Sequence, residues 1–553
     1  MDSILAMAQV NPHVGHLEGN LEKVLDAAGR ARAAGAGLVV FPELVLTGYP
    51  PEDLLHKPLF LERLAEIEQV LHRQLGALGI DAVYGSVRRE GGVLVNAGVA
   101  VQAGQESGYA AKWRLPNYGV FDERRYFTPG DRVRLFHHQG LPFGITICED
   151  IWHGDGPMAA LAAAGATWIV NLNASPYRAG KRVDRRRVVA QRVAENPLPV
   201  IYLNQVGGQD ELVFDGASFA MDARGGIVTA CPAFREDLRL LRLTGDAAGV
   251  QPRALEADPL PEPDPPGGER EIWEALCLGL RDYVTKNGFS GVVLGLSGGI
   301  DSALTAVICA DALGPERVEA VMMPSRFTSQ DSLDDAADGA RRLGIRLSEI
   351  PIGRLFEIFR AELAGEFRGR GEDVTEENLQ PRIRATLLMA LSNKKGSLLV
   401  TTGNKSEMSV GYATLYGDMA GGFSVLKDVF KTTVYRLAEA RNAWAVAAGQ
   451  TPPVPQRVID KAPTAELKPN QKDTDSLPPY SLLDRILHLY VEREMGLKEI
   501  MAQGIDRETA ARVIRMVDRS EYKRRQACPG VRITQRAFGK DRRYPITNGF
   551  RVI

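Results

Sequence analysis

Residues 294–303, "LGLSGGIDSA", decide the fold of the C-terminal half of this chain. A short apolar run ends there in a Ser-Gly-Gly turn, and Asp301 and Ser302 follow. A strand that passes through a glycine-rich turn into a helix presents backbone N–H groups and the positive end of the helix dipole, which together bind an anion. A mononucleotide P-loop has a Lys after its glycines, whereas this loop has Ile300. The loop therefore predicts a phosphate site that does not hold the outer phosphates through that lysine.

The segments around this loop predict a parallel sheet. "VVLGL" reads as a buried strand, "DSALTAVICADALG" as a helix and "VEAVMMP" as a second strand, after the amphipathic helix "IWEALCLGLRDYVTKNG". Strand, helix and strand in that order imply a right-handed crossover connection. The C-terminal half is thus expected to be α/β.

Two carboxylates in this half are candidate Mg²⁺ ligands. Asp301 starts the helix after the glycines, and Glu407 follows the strand and turn "VTTGNKSE" at 400–407, where Thr402 supplies a hydroxyl. The alternative is an ordinary strand–helix turn in which Asp301 and Ser302 only cap the helix.

Composition excludes several classes of protein. The 553 residues exceed what one hydrophobic core sustains, so two or more domains are expected. A net charge of -2 gives no basic field for nucleic acid or a membrane surface. The start lacks a secretory signal and no stretch is apolar enough to span a membrane, which favours a cytoplasmic protein. Five scattered cysteines predict neither a disulfide framework nor a zinc site.

Two segments rich in proline and polar residues are predicted to lack regular structure. Prolines, a Gly-Gly pair and acidic residues at 251–270 predict an exposed linker. It separates a domain over 1–250 from one over 270–553, with the linker at 251–269. The N-terminal half alternates β-rich runs such as "FGITICE" and "ATWIVNLNA" with Ala-rich helical patterns and reads as an α/β sandwich. The polar, Pro-rich stretch 461–480 predicts a loop, and its 463–478 part is a candidate lid.

Three reactive residues leave predicted strands in the N-terminal half. They are Glu43 in "VVFPELVLTGYPPEDL", Lys112 in "AAKWRLPNYGVFDERRYF" and Cys148 in "GITICEDIWH". An ammonium can stabilise a thiolate while a carboxylate carries its proton. Taken singly, Cys148 is a small core residue by base rate, and Glu43 and Lys112 are solvated loop charges.

The C-terminal half resembles the synthetase domain of the NAD⁺ synthetase family, which belongs to the N-type ATP pyrophosphatase group with its SGG-x-DS signature. The segments that carry the resemblance are the glycine loop, "TGNKSE", "YGDMAGGFSVLKDV" and "YKRRQACPGVRITQRAFGKDRRYPI". It implies that AMP is transferred to the carboxylate of deamido-NAD and then displaced by ammonia. The implied ATP-binding residues are Gly295, Leu296, Ser297, Gly298, Gly299, Ile300, Asp301, Ser302 and Thr402.

The same resemblance implies the dinucleotide contacts. Some of these contacts come from the segment "EENLQPRIRATLLMALSN" at 376–393. The implied residues are Asn378, Arg384, Glu407, Asp418 and Lys523, with Asp301 and Glu407 as the Mg²⁺ ligands. Two alternatives stay open: Arg384 as a surface helix residue and Asp418 as a turn cap.

The N-terminal half resembles the nitrilase (carbon–nitrogen hydrolase) superfamily, whose catalytic Glu, Lys and Cys occur in this chain order. The resemblance implies an α/β/β/α sandwich with Glu43 as general base, Lys112 as oxyanion stabiliser and Cys148 as nucleophile. Glu123 would position the lysine. The implied glutamine contacts are Tyr118, Ser175 and Lys181.

Together the resemblances imply an NAD⁺ synthetase that takes ammonia from glutamine through an internal tunnel. Its small-molecule partners would be glutamine, ATP and deamido-NAD, with Mg²⁺ required and a homo-oligomer expected. The synthetase half would have a Rossmann-like parallel sheet of the adenine nucleotide alpha hydrolase type. One rival is another ATP-pyrophosphatase amidotransferase such as a GMP synthetase, but "TICEDIW" lacks the Gly-rich elbow of that enzyme's glutaminase. The other is a non-catalytic nucleotide-sensing or scaffold protein.

Overall fold

The computed structural model describes residues 2–246, 249–255, 268–469 and 471–550. The chain divides into two compact units, Met1–Gly267 and Gly268–Ile553, called here the N-terminal and C-terminal units. Among the described residues, no helix is long and apolar enough to cross a membrane.

The N-terminal unit is built mainly from strands. They are β1 (Asp2–Gln9), β2 (Leu38–Val40), β3 (Asp81–Glu90), β4 (Val93–Gln102), β5 (Gln105–Ala111), β6 (Leu135–His138), β7 (Leu141–Ile147), β8 (Trp168–Asn173), β9 (Val200–Asn204), β10 (Val206–Gln209), β11 (Leu212–Asp215), β12 (Phe219–Met221), β13 (Ile227–Ala230), β14 (Asp237–Asp246) and β15 (Gly249–Ala254). Its α-helices are α1 (Leu17–Ala33), α2 (Pro58–Leu78), α3 (Pro157–Ala163) and α4 (Lys181–Glu195).

These elements form four layers. Within the described residues, one sheet has the order β15-β14-β1-β2-β3-β4-β5, a second has the order β13-β12-β9-β8-β7-β6, and β10 pairs with β11. Alternate residues of the strands face opposite ways, so Leu5 packs with Val170 in a core that both large sheets share. On the outer faces, Val24 and Leu71 cover the first sheet with α1 and α2, and Val189 of α4 packs on the second. This confirms the α/β/β/α sandwich.

The C-terminal unit is mainly helical around one parallel sheet. Its strands are β16 (Val292–Gly295), β17 (Val318–Met322), β18 (Arg346–Glu349), β19 (Leu398–Thr401) and β20 (Phe423–Ser424). Its α-helices are α5 (Glu269–Lys286), α6 (Ile300–Leu313), α7 (Gln330–Leu343), α8 (Gly353–Leu363), α9 (Val374–Lys395), α10 (Lys405–Val410), α11 (Lys431–Ala447), α12 (Gln456–Asp460), α13 (Tyr480–Leu487), α14 (Leu497–Ala502), α15 (Arg507–Arg519) and α16 (Glu521–Arg524).

The strand order of this sheet places a binding site. The described strands run β18-β17-β16-β19-β20, and all the pairings are parallel. The order reverses between β16 and β19, and in doubly wound sheets ligands bind at the carboxyl ends of the strands beside such a reversal. Because the Ser-Gly-Gly turn follows β16 and Thr402 follows β19, the fold brings both motifs to that edge.

The predicted linker is too long at both ends. Residues 251–254 continue β15, which pairs antiparallel with β14, and α5 already begins at Glu269. The proline content of this segment was misleading, because β15 is an edge strand and an edge strand accepts a proline such as Pro252. Residues 256–267 of the predicted linker lie outside the described residues.

The polar stretch 461–480 has little regular structure, as its composition predicts. It connects α12 to α13, and within its described residues the helical segments are the 3₁₀ turn Asp473–Asp475 and the start of α13.

Candidate active sites

Three buried charges meet in the N-terminal unit. Lys112 follows β5, and its Nζ donates to Glu43 Oε1 and to Glu123 Oε1, each at 2.7 Å. The side chains of Lys112 and Glu43 are 0% exposed and that of Glu123 is 5% exposed. One ammonium is therefore shared between two carboxylates away from water.

Further donors fix the Glu43 carboxylate. Asn96 Nδ2 donates to Glu43 Oε1 at 2.7 Å, and the Ala174 backbone N–H donates to Glu43 Oε2 at 2.9 Å. Burial alone would lower the pKa of the Lys112 ammonium, but Glu123 and Glu43 outweigh it and hold that pKa well above its usual range. Burial raises the pKa of Glu123 against the opposing effect of Lys112. Lys112 thus stays charged as a fixed cation.

Cys148 occupies a turn that places its buried thiol near these charges. It is the first residue of the 3₁₀ helix Cys148–Trp152, directly after β7, and its φ of 44° is in the left-handed region. Burial, and next the nearby Glu43 carboxylate, raise the pKa of the thiol, whereas Lys112 lowers it. The resting thiol is therefore protonated and needs a base, and Glu43 is the neighbouring carboxylate that contributes most to its pKa.

The predicted glutamine contacts surround the same turn. Tyr118 Oη donates to the Glu149 carboxylate at 2.9 Å, next to Cys148 in sequence. Lys181, at the start of α4, holds its Nζ 3.7 Å from the centroid of the Trp152 ring at the end of the same 3₁₀ helix. Ser175 is buried and follows Ala174, whose N–H binds Glu43. The fold therefore brings all three to one place.

The C-terminal unit contains a cavity of about 530 Å³ at the predicted edge of its sheet. Loop 461–480 lines it from one side, including Glu466. The residues predicted for ATP, dinucleotide and metal that line it are Gly295, Leu296, Ser297, Gly299, Ile300, Asp301, Ser302, Asn378, Arg384, Thr402, Glu407, Asp418 and Lys523.

Gly298 has a different position from the other loop glycines. Its φ is +77°, and a Cβ there would lie 2.2 Å from the carbonyl oxygen of Ser332 in α7. Ser302 Oγ accepts the Ser297 N–H at 3.2 Å and donates to Gly299 O at 3.0 Å. Gly298 therefore lets the loop pack against α7, and Ser302 stabilises the loop through these two hydrogen bonds.

The two predicted metal ligands share a cation from the chain itself. Lys431 Nζ contacts Asp301 Oδ2 and lies 3.3 Å from Glu407 Oε1. Asn404 Nδ2 donates to the other Asp301 oxygen at 2.9 Å. Burial raises the pKa of Glu407 to about 8, although Lys431 opposes this rise. In the described part of the chain, no cluster of three or more His, Cys, Asp or Glu suits a metal ion.

The open alternatives for Arg384 and Asp418 are both answered. Arg384 is half-buried, its Nε donates to Met323 O at 3.0 Å, and it lines the cavity, so it is not an ordinary surface helix residue. Asp418 does cap a turn, since it accepts the Thr414 N–H at 2.6 Å, but it also lines the cavity.

The turn around Thr414 that Asp418 caps also holds Asn378 and Lys523. Asn378 Oδ1 accepts the Thr414 hydroxyl at 2.8 Å, and Lys523 Nζ donates to the carbonyls of Gly411 and Ala413, each at 2.7 Å.

Sequence reasoning left several polar partners unassigned. They are Asn96, Asp150, Asn404, Lys431 and Glu466. A signal existed for Asn404, which lies in the Gly/Asn turn between Thr402 and Glu407, and for Lys431, which follows the Gly-Gly turn. Asn96 and Asp150 act through bonds between distant strands and turns, which a single sequence does not reveal.

Comparison with known proteins identifies the class. The carbon–nitrogen hydrolase family model matches residues 4–250, and the NAD synthase family model matches residues 272–527. The fold and both sites thus define a two-part enzyme that joins a carbon–nitrogen hydrolase to an NAD synthase.

Relatives over the full chain identify the family. The chain is 45% identical over 548 residues to the glutamine-dependent NAD(+) synthetase of Acinetobacter baylyi, covering 99% of this chain and 98% of that protein. It is 45% identical over 574 residues to that of Thermotoga maritima, covering 99% of both. The solved structure of the Acinetobacter baumannii glutamine-dependent NAD⁺ synthetase with ADP matches at a TM-score of 0.77 and 44% identity over 99% of each chain. The chain belongs to the glutamine-dependent NAD(+) synthetase family.

Proposed function

We propose that this chain converts deamido-NAD, ATP and glutamine to NAD⁺, AMP, pyrophosphate and glutamate. The observation that carries the proposal is that one chain contains both sites. They are the buried Glu43–Lys112–Glu123 cluster beside Cys148 and the cavity at the glycine loop. Full-length similarity to glutamine-dependent NAD(+) synthetases supports the choice of substrates. Turnover of deamido-NAD with ATP and glutamine tests it and separates it from a non-catalytic scaffold.

In the N-terminal unit, glutamine supplies ammonia. Glu43 takes the Cys148 proton, and the thiolate sulfur attacks the side-chain amide carbon. Lys112 stabilises the oxyanion that forms. The C–N bond then breaks, the proton returns to the leaving nitrogen, and ammonia departs from a thioester. Water, deprotonated by Glu43, cleaves the thioester and releases glutamate.

In the C-terminal unit, ATP activates the acceptor. The N–H groups of the glycine loop and the start of α6 hold the phosphates of ATP. The deamido-NAD carboxylate attacks the α-phosphorus, and pyrophosphate leaves. Ammonia then attacks the mixed anhydride, and AMP leaves as the amide forms. Asn378, Arg384, Asp418 and Lys523 would hold deamido-NAD.

The residues present fit Mg²⁺. Asp301 and Glu407 form an oxygen-only donor pair beside the glycine loop, and proteins bind Mg²⁺ through one or two carboxylates together with substrate phosphates. When bound, the ion neutralises phosphate charge. Lys431 is placed to pair with Asp301 and Glu407 before substrates bind and to reach phosphate oxygens afterwards.

We also propose a homo-oligomer and a cytoplasmic location. The family resemblance supports the first, because synthetase domains of this family usually dimerise. The second follows from the substrates, since ATP is supplied in the cytoplasm.

A pH prediction follows from Lys181. Burial, and next the charges of Arg185 and Arg178, lower the pKa of Lys181 to about 8. If its ammonium binds the α-carboxylate of glutamine, that attraction is present below this pH and is lost above it. We expect kcat/KM for glutamine to fall above about pH 8, approaching tenfold per unit.

Lys181→Arg is the matched control, because arginine stays charged across this range. The titration of free glutamine is common to both enzymes and cancels in the comparison. The same alkaline fall in both would contradict the role of Lys181.

The loop 463–478 is proposed to close the cavity. Its Glu466 accepts hydrogen bonds from Ser329 Oγ at 2.9 Å and Ser332 Oγ at 2.7 Å at the start of α7. Replacing the loop with a short Gly/Ser turn should lower NAD⁺ formation with glutamine and with ammonium alike. An unchanged ATP-dependent rate would exclude a lid.

A further inference from the structure

Asp150 lies two residues after Cys148 and is 1% exposed. Its carboxylate accepts three backbone hydrogen bonds. Oδ1 accepts from Trp113 N–H at 3.0 Å and Arg114 N–H at 2.8 Å, and Oδ2 accepts from Ile147 N–H at 2.9 Å. One buried side chain thus holds two separate segments.

Those segments carry the catalytic pair. Trp113 and Arg114 come directly after Lys112, and Ile147 comes directly before Cys148. Bonds to an ionised acceptor are stronger than bonds between neutral groups. Burial raises the pKa of Asp150 to about 6 while the three N–H groups oppose this, so the carboxylate is ionised at neutral pH and accepts all three bonds.

The main chain around Asp150 is closely packed. A Cβ at Gly156 would lie 2.2 Å from the backbone carbonyl oxygen of Asp150. The neighbouring Cys148 has a left-handed φ of 44°, a conformation that persists only when the structure around it enforces it. The Lys112 ammonium donates to Glu43 and Glu123, whereas the Asp150 carboxylate accepts backbone N–H groups, so Asp150 acts on the catalytic pair mainly through the backbone.

We propose that Asp150 is a positioning residue. It holds the Lys112 ammonium and the Cys148 thiol at the relative position that glutamine hydrolysis requires. This rests on the proposed glutaminase function. The alternative is that Asp150 only caps the 3₁₀ helix, in which case its loss changes stability and not the chemistry.

Asp150→Asn tests the proposal, because an amide keeps the shape but offers one acceptor oxygen instead of two. Either the N–H groups after Lys112 or the N–H before Cys148 must then face an NH₂ group. We expect kcat for glutamine hydrolysis to fall about 10²-fold, the size of a small misplacement of catalytic groups, with a much smaller change in KM. The rate of Cys148 alkylation by iodoacetamide should also change its pH profile, while ammonium-supported NAD⁺ formation stays at the wild-type rate.

Asp222→Asn is the matched control. Asp222 also accepts two backbone bonds in this unit, from Arg224 N–H at 2.9 Å and Gly226 N–H at 2.8 Å, but it holds no catalytic segment. It should leave kcat and the alkylation profile unchanged. Asp150→Glu keeps both acceptor oxygens one methylene further out, and a folded Glu variant should also lose kcat.

Each other outcome overturns the proposal. Wild-type kcat in a folded Asp150→Asn variant would do so, and so would a loss that merely follows the unfolded fraction in thermal melts. If neither Asp150 variant folds, the residue serves general stability and the positioning role is wrong. Cys148→Ala is run in parallel: if it still hydrolyses glutamine, the glutaminase assignment itself fails, whereas an inactive Cys148→Ala beside a fully active Asp150→Asn removes only the positioning role.

Discussion

Replacing Cys148 by alanine is expected to lower glutamine-supported NAD⁺ formation by at least about 10³-fold, because the nucleophile that releases ammonia is lost. Ammonium-supported formation should stay within about twofold of wild type, since this route needs only the synthetase chemistry. The measurement is the initial rate of NAD⁺ formation from deamido-NAD, ATP and Mg²⁺ with each nitrogen source.

Cys231 offers a matched control for this substitution. It is also a buried thiol of the N-terminal unit, 2% exposed, but it belongs to the core between the two sheets. Cys231→Ala should keep both rates near wild type. Loss of both rates in a folded Cys148→Ala protein would contradict separate sites for ammonia release and amide formation.

Asp301→Ala is expected to remove NAD⁺ formation from both nitrogen sources by about 10³-fold or more, because phosphoryl chemistry depends on neutralising phosphate charge. The substitution also removes one of the two carboxylates that form ion pairs with Lys431 and leaves Glu407 beside it. Asp301→Asn should show a higher Mg²⁺ requirement in a titration of rate against Mg²⁺, since a neutral amide is a weaker ligand.

Asp311→Asn is the control on the same helix. Asp311 lies in α6 like Asp301, but it pairs with Arg441 and Trp273. This variant should keep the wild-type Mg²⁺ dependence. Full NAD⁺ synthesis by Asp301→Ala would refute the role of Asp301 at the phosphate site.

Local sequence patterns predicted most of the fold. Apolar runs and turn residues located β16, β19 and α6, because a buried parallel strand and a capped helix leave local patterns. The bounds of the linker are the prediction that differs most from the structure. Its composition outweighed the alternation of Val250 and Pro252, which places residues 251–254 in an edge strand.

The candidate sites were predictable to the extent that their residues lie in recognisable segments. Glu43, Lys112 and Cys148 follow strands, and the structure gathers them as the nitrilase resemblance implies. Two features were not predictable in this way. The contact of Lys431 with Asp301 joins residues 130 positions apart in the sequence, and the three bonds to Asp150 involve backbone groups that carry no sequence signal.

The central claim is that one chain releases ammonia from glutamine and uses it to amidate deamido-NAD. The most direct test gives the wild-type protein deamido-NAD, ATP, Mg²⁺ and glutamine labelled with heavy nitrogen in its side-chain amide, with no ammonium added, and measures the mass of the product. The account predicts NAD⁺ that carries the heavy nitrogen, formed with equal amounts of AMP and pyrophosphate. Folded protein that forms no NAD⁺, or NAD⁺ without the label, would contradict it.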